Sequence, residues 1–269
     1  MKLAANYHTH TVRCGHASQE PERAYVEAAI AAGMTELGFS DHCPMPAPDG
    51  ANETELTRWF QSIRMSTDET EGYVNTLLSL REEYKNDIKL YIGFEVEYLE
   101  DDFSRFLDHI RPYPVDYIIL GQHFNKMIGD DIRYYGGETR SDEVLARHVQ
   151  QVCDGISTGK FSYVAHPDLC VYRGDLAFYE KQMTKLIECA NKHKTPLEVN
   201  LLGWQTTRNY PNISFWSLAS EIGCDVVIGC DAHDTASLQP REAMAYAERL
   251  LDKNPRLNLI EKIKLVSPF

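Results

Sequence analysis

Short apolar runs alternate with helical patterns along all 269 residues, and this alternation constrains the fold more than any other feature of the sequence. The runs are rich in Val, Ile, Leu, Phe and Tyr and read as continuous, as is typical of buried parallel strands. Seven strands are predicted, at residues 3–7, 36–40, 89–96, 117–121, 162–165, 196–200 and 225–230. Repeated strand–helix alternation implies right-handed crossovers, and therefore a barrel or a doubly wound sheet.

The segments between these strands carry the signals that start and stop helices. One helix is predicted to have Pro21 in its first turn and to end at Gly33. Ser141 is the predicted N-cap of a second helix over 142–155, and apolar residues at helical spacing predict a third over about 175–193. Such helices would cover the outer face of a parallel barrel.

Seven of the ten histidines lie at or just beyond the C-terminal end of a predicted strand, and two carboxylates occupy equivalent positions. These nine residues are His8, His10, His16, His42, Glu95, His123, His166, Asp231 and His233. In a parallel barrel the C-terminal strand ends form one face, where active sites are built. We therefore predict an α/β fold, a (β/α)7 barrel in a single domain over 1–269, with its active site on that face.

The local spacings of these residues fit metal binding. His8 and His10 are two apart on a strand, so both imidazoles can face one ion. Asp231 and His233 repeat the spacing with a carboxylate and an imidazole. One histidine at a strand end is more often a hydrogen-bonded core residue than a ligand, whereas seven on one face indicate bound ions.

Several other residues near these positions are assigned different roles. Glu97 shares the strand parity of Glu95 but lies farther beyond the strand end, so Glu95 is the preferred ligand. Asp41 is interpreted as a carboxylate that orients a ligand. Three cysteines within two residues of predicted ligands are interpreted as small buried residues, with a thiolate ligand as the alternative, and they are Cys14, Cys43 and Cys230.

Composition excludes several classes of protein. The net charge of −13 disfavours long nucleic-acid tracts, which are bound through clustered Lys and Arg. Seven cysteines without a C-x-x-C pair argue against a disulfide framework and a zinc ribbon. No window has the roughly 20 apolar residues of a membrane span, and the N-terminus lacks a secretory signal. We expect a cytoplasmic protein, and no exposed heptad or apolar stripe indicates its oligomeric state.

Seven motifs, spread in order over nearly the whole chain, resemble those of the PHP (polymerase and histidinol phosphatase) superfamily, and most closely its stand-alone histidinol-phosphate phosphatases. The motifs are HTHTVRCGH at 8–16, SDHCP at 40–44, GFEVEY at 93–98, GQHF at 121–124, VAHPDL at 164–169, EVNLLG at 198–203 and GCDAH at 229–233. The resemblance implies a distorted seven-stranded βα barrel, in agreement with the strand count.

The resemblance also implies a site for three divalent metal ions. The first ion would be bound by His8, His10, Glu95 and Asp231. The second would be bound by a bridging Glu95 together with His123 and His166. The third would be bound by His16, His42 and His233. Mixed imidazole and carboxylate ligands suit Zn, Fe or Mn.

The positive charge of such a centre suits a dianionic phosphate monoester. The resemblance implies hydrolysis of L-histidinol phosphate to L-histidinol and phosphate in histidine biosynthesis. Asp231 is the candidate for orienting the attacking hydroxide. The candidates for giving a proton to the leaving alkoxide are a water on the third metal and the imidazole of His233 or His42. Arg208 is the first candidate for binding the phosphate group, and Arg173 is the second.

A long insertion over 43–70 follows the second predicted strand and contains Pro44, Pro46, Pro48 and Gly50. Loops of this length in a compact domain are usually functional, so the insertion is predicted to form a lid or a substrate wall. Its Glu53 and Trp59 are candidates to face the cationic end of the substrate. The alternative is that the insertion is a surface loop without a function.

Three alternative functions stay open. A nucleotide phosphatase or phosphodiesterase of the same superfamily is disfavoured by the acidic charge and the lack of a basic groove. An amidohydrolase-type barrel also begins with H-x-H, but it bridges its metals with a modified lysine, whereas the bridging position here is Glu95. A metal-binding module without activity would usually have lost ligands, and this chain keeps all nine.

Overall fold

The structure, a computed structural model, describes residues 2–47, 54–129 and 131–269. Within them the strands are β1 (Ala5–Asn6), β2 (Glu36–His42), β3 (Lys89–Val96), β4 (Tyr117–Leu120), β5 (Leu197–Asn200), β6 (Cys224–Gly229) and β7 (Leu257–Leu259). The helices are α1 (Glu22–Ala32), α2 (Glu55–Ser62), α3 (Thr70–Glu83), α4 (Phe103–Ile110), α5 (Asp142–Ser157), α6 (Leu176–His193), α7 (Leu201–Gln205), α8 (Ile213–Ile222) and α9 (Arg241–Lys253). The predicted α/β alternation is confirmed.

The described strands form two parallel sheets, a curled one in the order β1-β2-β3-β4 and another in the order β5-β6-β7. Single parallel bridges join the two sheets. Val164 pairs with Leu120 of β4 and with Leu197 of β5. Thr9, after β1, pairs with Ala232, after β6. The curled sheet is therefore linked to the second sheet at both of its edges.

Three strands differ from the prediction. The predicted strand over 162–165 has isolated bridges at Val164 in place of a regular strand, although its backbone hydrogen-bonds to both neighbouring strands, as from the N–H of Ser162 to the oxygen of Ile118 (2.9 Å) and from the N–H of Glu198 to the oxygen of Val164 (2.9 Å). The backbone leaves the extended region at His166, where φ is 29°. β1 is shorter than the predicted run. β7 was not predicted, because Leu257–Leu259 alternates apolar and polar residues and lacks the continuous apolar pattern of the other strands.

The helix signals in the sequence are confirmed, apart from the position of Pro21. α1 begins at Glu22, so Pro21 is its N-cap and not, as predicted, a residue of its first turn. The helix ends at Gly33 as predicted, and the φ of 78° at Gly33 is a left-handed value that glycine adopts easily. The hydroxyl of Ser141 accepts a hydrogen bond from the N–H of Val144 at the start of α5. α5 continues two residues beyond the predicted end. Among the described residues, none of the helices combines the length and the apolar character that a membrane crossing requires.

The strands separate two layers of buried side chains. Tyr117 of β4 belongs to a small buried cluster, whereas the next residue, Ile118, belongs to the larger core that includes the helices. Successive side chains of a strand point to opposite faces, which explains this alternation. The hydroxyl of Tyr117 donates to the carbonyl oxygens of Tyr7 (2.7 Å) and Phe39 (3.1 Å). These contacts connect β4 to the residue that follows β1 and to the middle of β2, next in sequence to His8 and Ser40.

The predicted insertion over 43–70 contains α2 and a 3-10 turn at Thr67–Glu69 before α3 begins. Residues 48–53, which include Pro48, Gly50 and Glu53, lie outside the described residues. The side chain of Phe60 in α2 is fully buried, so this part of the insertion packs against the core.

Candidate metal centre

The nine predicted ligands lie together at the C-terminal ends of the strands, and the register of the strands explains why. His42, the last residue of β2, pairs directly with Glu95 of β3. The N–H of His10 donates to the oxygen of Ala232 (2.8 Å), and the N–H of Ala232 donates to the oxygen of His8 (3.1 Å). These bonds hold the H-x-H segment beside the D-x-H segment, although the two are more than 200 residues apart in the chain.

Glu95 is the centre of the cluster, because five imidazoles lie within 3.5 Å of its carboxylate. The atoms are Nε2 of His8 (3.5 Å), Nε2 of His10 (3.5 Å), Nδ1 of His42 (3.1 Å), Nε2 of His123 (3.5 Å) and Nε2 of His166 (2.8 Å). A Cβ at residue 121 would clash with Oε1 of Glu95. Gly121 is therefore needed to make room for the carboxylate.

Asp231 approaches two of the same imidazoles. Its Oδ1 lies 3.4 Å from Nε2 of His8, 3.1 Å from Nε2 of His10 and 3.4 Å from Nδ1 of His233. Its Oδ2 accepts a hydrogen bond from Nδ2 of Asn200 (3.1 Å). The Nε2 atoms of His8 and His10 therefore face two carboxylates each.

His16 and His233 direct lone pairs at one another. Nδ1 of His16 lies 2.9 Å from the oxygen of Cys14, and Nδ1 of His233 lies 3.0 Å from the oxygen of Asp231. A carbonyl oxygen only accepts, so each Nδ1 carries the proton of the neutral ring and each Nε2 has a lone pair. The two Nε2 atoms are 3.0 Å apart, an arrangement that a shared cation would stabilise. His42 completes this group of three.

Unpartnered buried atoms point to the same conclusion. Nε2 of His8, both ring nitrogens of His10 and Oε2 of Glu95 have no hydrogen-bond partner among the described residues. Leaving a buried donor or acceptor unpaired costs about 1–3 kcal/mol. Imidazole nitrogens and carboxylate oxygens are also the ligands that Zn, Fe and Mn accept. The residues of this cluster therefore fit divalent metal ions.

The structure groups the ligand atoms much as the resemblance implied, with two differences. His42 forms a set with Glu95 and His123 in addition to its set with His16 and His233, and the second difference concerns His166. Sets whose ligand atoms lie within 4.8 Å of one another include His8-His10-Glu95, His16-His42-His233, His42-Glu95-His123 and His8-His166-Asp231. The second set equals the implied third site, and the first contains three of the four residues of the implied first site. His166, implied to share an ion with Glu95 and His123, is grouped here with His8 and Asp231, although it also contacts Glu95.

The electric field of the cluster favours positive charge between the carboxylates. Burial alone would raise the pKa of Glu95, but the surrounding imidazoles lower that pKa well below its ordinary value. Burial alone would lower the pKa of His10, but Asp231 and Asp41 raise it to about 9. The pKa of His8 is likewise raised well above its ordinary value, against the effect of burial. A divalent cation would be stabilised by the same carboxylates.

The neighbouring cysteines and Asp41 have the positions expected of supporting residues. Burial raises the pKa of the thiols of Cys14, Cys43 and Cys230. Of the three, Cys14 has its Sγ within 4.8 Å of ligand atoms of His10 and His233, so the thiolate alternative stays open at that position. Asp41 accepts hydrogen bonds from the N–H and hydroxyl of Thr11 and from the N–H of His42. Its Oδ1 also lies 3.5 Å from Nδ1 of His10.

Glu97 lies beside the cluster and is engaged elsewhere. Its carboxylate forms a buried two-point ion pair with Arg64, at 3.0 Å and 3.2 Å. Arg64 and burial act in opposite directions on Glu97, and the net effect lowers its pKa to about 2. Oε1 of Glu97 lies 3.3 Å from Nδ1 of His123. Glu97 thus connects the insertion to a predicted ligand, and its position supports the choice of Glu95.

A cavity of about 210 Å³ opens onto the cluster. Besides cluster residues, its walls contain Trp59, Ile63, Arg64, Glu97, Phe124, Tyr134, Leu202, Arg208 and Tyr210. Nη1 of Arg208 donates to the hydroxyl of Tyr210 (3.1 Å). Arg173 is not among the described residues that line the cavity, and its exposed side chain pairs with Glu138 (3.4 Å). The structure brings Arg208 to the cluster and leaves Arg173 outside.

Sequence reasoning missed two polar residues beneath the cluster, Glu198 and Asn200. Both are fully buried in β5, and they contact His8 and Asp231 respectively. The signal that could have found them is a carboxylate and an amide two residues apart inside a buried apolar strand, where an unpaired polar side chain would be unstable.

The fold and this cluster define the class of protein. The chain belongs to the PHP domain family, which matches residues 6–201. The match covers seven of the nine cluster residues, and Asp231 and His233 lie beyond it.

The most informative relatives are histidinol phosphatases. The chain is 26% identical over 248 residues to a Deinococcus radiodurans protein named "Probable histidinol-phosphatase", a match that covers 90% of each protein. It is 33% identical over 120 residues to the histidinol-phosphatase of Bacillus subtilis, covering 44% of this chain and 42% of that protein. The fold is similar to that of histidinol phosphate phosphatase from Lactococcus lactis, solved with zinc, L-histidinol and phosphate. The TM-score is 0.69 at 19% identity, covering 97% of this chain and 99% of that one.

Proposed function

We propose that this chain is a metal-dependent phosphomonoesterase that hydrolyses L-histidinol phosphate to L-histidinol and phosphate in histidine biosynthesis. The observation that carries the proposal is the convergence of seven imidazoles and two carboxylates around unpartnered buried nitrogen and oxygen atoms. The named relatives support the choice of substrate, since the Lactococcus protein was solved with zinc and with both products of this reaction.

Three divalent ions of Zn, Fe or Mn are the proposed cofactors. The proposed ligands are His8, His10, Glu95 and Asp231 for the first ion, Glu95, His123 and His166 for the second, and His16, His42 and His233 for the third. Their contacts with Glu95 and Asp231 and the paired lone pairs of His16 and His233 support this assignment. When bound, the ions would neutralise the phosphoryl oxygens and activate a water molecule for attack.

Asp231 is proposed to orient the attacking water by accepting a hydrogen bond from it. Asn200 holds one oxygen of this carboxylate, so the other oxygen keeps its direction into the cluster. Burial lowers the pKa of His42 well below its ordinary value and that of His233 to about 3. Neutral rings suit metal ligation better than proton donation, so we favour ligand roles for His42 and His233 over transfer of a proton to the leaving alkoxide.

The substrate is proposed to lie in the cavity, with its phosphate between the cluster and Arg208. Arginine binds phosphate oxygens through charge-assisted hydrogen bonds. The insertion is proposed to act as a substrate wall, because Trp59 stands edge-on to the rings of Phe124 (5.1 Å between centroids) and Tyr134 (6.2 Å). Such an aromatic wall suits the imidazole and ammonium groups of histidinol phosphate.

A distorted (β/α)7 barrel in one domain is proposed as the complete architecture. The proposal rests on the bridges of Val164 and Thr9, which connect β1 to β4, the segment at Val164, β5 and β6 toward a ring of seven parallel segments, with β7 paired to β6 outside that ring. One large core also contains residues from Tyr25 in α1 to Leu257 in β7, which supports a single domain.

Substrate preference tests the proposed function. We expect metal-reconstituted protein to hydrolyse L-histidinol phosphate with a kcat/KM at least about a hundredfold above nucleotide and sugar monophosphates and a phosphodiester, because the site would be shaped for one organic group. Released phosphate is measured for each ester in parallel. Broad activity, or preference for the diester, would instead favour the nucleotide phosphatase or phosphodiesterase alternative.

The same panel of esters tests whether Arg208 or Arg173 binds the phosphate group of the substrate. Arg208→Met is expected to raise KM for every monoester about tenfold or more through the loss of a charge-assisted contact. Arg173→Met removes an equal side chain outside the cavity and is the matched control, with KM unchanged. The opposite pattern would show that the phosphate lies elsewhere.

A further inference from the structure

Glu198 is a fully buried carboxylate in β5, and both of its oxygens are engaged. Oε1 lies 2.8 Å from Nδ1 of His8. Oε2 accepts hydrogen bonds from the backbone N–H of His166 (3.0 Å) and from Nδ2 of Asn200 (2.9 Å). One carboxylate therefore contacts the ring of one proposed ligand and the backbone of another.

The contact with His8 determines which ring nitrogen faces the cluster. A carboxylate accepts hydrogen bonds, so Nδ1 of His8 carries the proton and the lone pair of the neutral ring lies on Nε2. That Nε2 is the atom 3.5 Å from Glu95 and 3.4 Å from Asp231. A hydrogen bond to the remote nitrogen of a metal-binding imidazole fixes its tautomer and orientation and raises its basicity. Glu198 thus aims the lone pair of His8 into the cluster.

The contact with His166 acts on the backbone. His166 has a φ of 29°, a left-handed value that a side-chain-bearing residue rarely adopts without support. The hydrogen bond from its N–H to Glu198 provides such support and leaves Nε2 of the ring 2.8 Å from Oε1 of Glu95. A Cβ at residue 229 of the neighbouring strand would clash with Oε1 of Glu198. Gly229 therefore provides the space that this carboxylate occupies.

We propose that Glu198 is a positioning residue of the metal centre, which orients His8 through its ring and His166 through its backbone. The inference rests on the metal-dependent function proposed above. Glu198 is not among the residues that line the cavity, so its effect reaches the metal ions through His8 and His166.

Glu198→Gln tests this role, because an amide of the same size cannot satisfy all three contacts and also keep the lone pair of His8 on Nε2. If its NH2 faces His8, Nδ1 must accept and the ring proton moves to Nε2, the proposed metal-binding atom. If its oxygen faces His8, the NH2 meets two donors, the N–H of His166 and the amide of Asn200. We expect the zinc Kd to rise about 10- to 100-fold. Competition with a chromophoric chelator measures this Kd, and urea unfolding measures the stability of the metal-free protein.

Glu36→Gln is the matched control. Glu36 is a partly buried carboxylate at the opposite end of β2 from His42, and it accepts hydrogen bonds from the hydroxyls of Tyr7 (2.7 Å) and Tyr91 (3.2 Å). Its replacement is expected to leave the zinc Kd unchanged. A purely structural role of Glu198 would lower the free energy of unfolding and leave the zinc Kd of the folded protein unchanged.

The outcomes distinguish this inference from the proposed function. A folded E198Q variant with the wild-type zinc Kd would overturn the positioning role and leave the metal centre intact. Wild-type protein without measurable zinc binding would overturn the metal centre and the positioning role together.

A second variant is available if E198Q does not fold. Gly229→Ala displaces the same carboxylate and must weaken zinc binding, and Gly72→Ala, whose Cβ meets no neighbour, is its control. An unchanged zinc Kd in folded G229A would then overturn the role.

Discussion

Glu95→Gln is expected to lower kcat/KM for L-histidinol phosphate by at least about a thousandfold, since several kcal/mol of transition-state stabilisation depend on the ions that Glu95 would bridge. Five imidazoles contact this one carboxylate. Glutamine keeps the size of the side chain but removes its charge and one acceptor. Steady-state kinetics and elemental analysis of the same preparation should show that activity and bound metal fall together.

Glu36→Gln, which removes a carboxylate outside the cluster, is the control for Glu95→Gln. It is expected to keep the wild-type kcat/KM and metal content. An E95Q variant that retained both properties would contradict the assignment of Glu95 as the bridging ligand.

Asp231→Asn is expected to lower kcat about 10²- to 10⁴-fold in metal-loaded protein, the range typical of a lost proton acceptor. The carboxylate of Asp231 can accept a hydrogen bond from the attacking water, whereas the uncharged amide of asparagine orients and activates water less well. The measurement is kcat at saturating L-histidinol phosphate, with metal content determined on the same sample.

Asp225→Asn provides a matched control from the same strand. Asp225 lies near the start of β6 and accepts a hydrogen bond from Asn258 (2.7 Å), far from the strand end that leads to Asp231. Its replacement is expected to leave kcat unchanged. Near-normal kcat in fully metallated D231N protein would contradict the proposal that Asp231 orients the attacking water.

The sequence predicts the main elements of this fold because their signals are local. Pro21 and Gly33 delimit α1, and continuous apolar runs mark most parallel strands. The segment over 162–165 was predicted where the backbone does hydrogen-bond to β4 and β5, but nothing in the sequence indicates that the backbone leaves the extended region directly after it, at His166. Leu257–Leu259 was not predicted, because this segment lacks a continuous apolar run and its strand depends on pairing with the distant β6.

The nine cluster residues were accessible to sequence reasoning because each lies at or just beyond the C-terminal end of a predicted strand, and parallel strands bring such positions together. The supporting contacts were not accessible in this way. Nothing near Glu198 in the sequence indicates that it meets His8, 190 residues away, and nothing near Arg64 indicates its pairing with Glu97. The choice between Arg208 and Arg173 likewise depended on which loop reaches the cavity.

A metal-dependent reaction at the strand ends is tested most directly by phosphate release from L-histidinol phosphate before and after removal of metal. The wild-type protein is measured as purified, after exhaustive chelation verified by elemental analysis, and after addition of Zn²⁺, Fe²⁺ or Mn²⁺ singly. We predict that activity disappears with the metal and returns with at least one of these ions. Full activity in protein verified to be free of metal would contradict the proposed function.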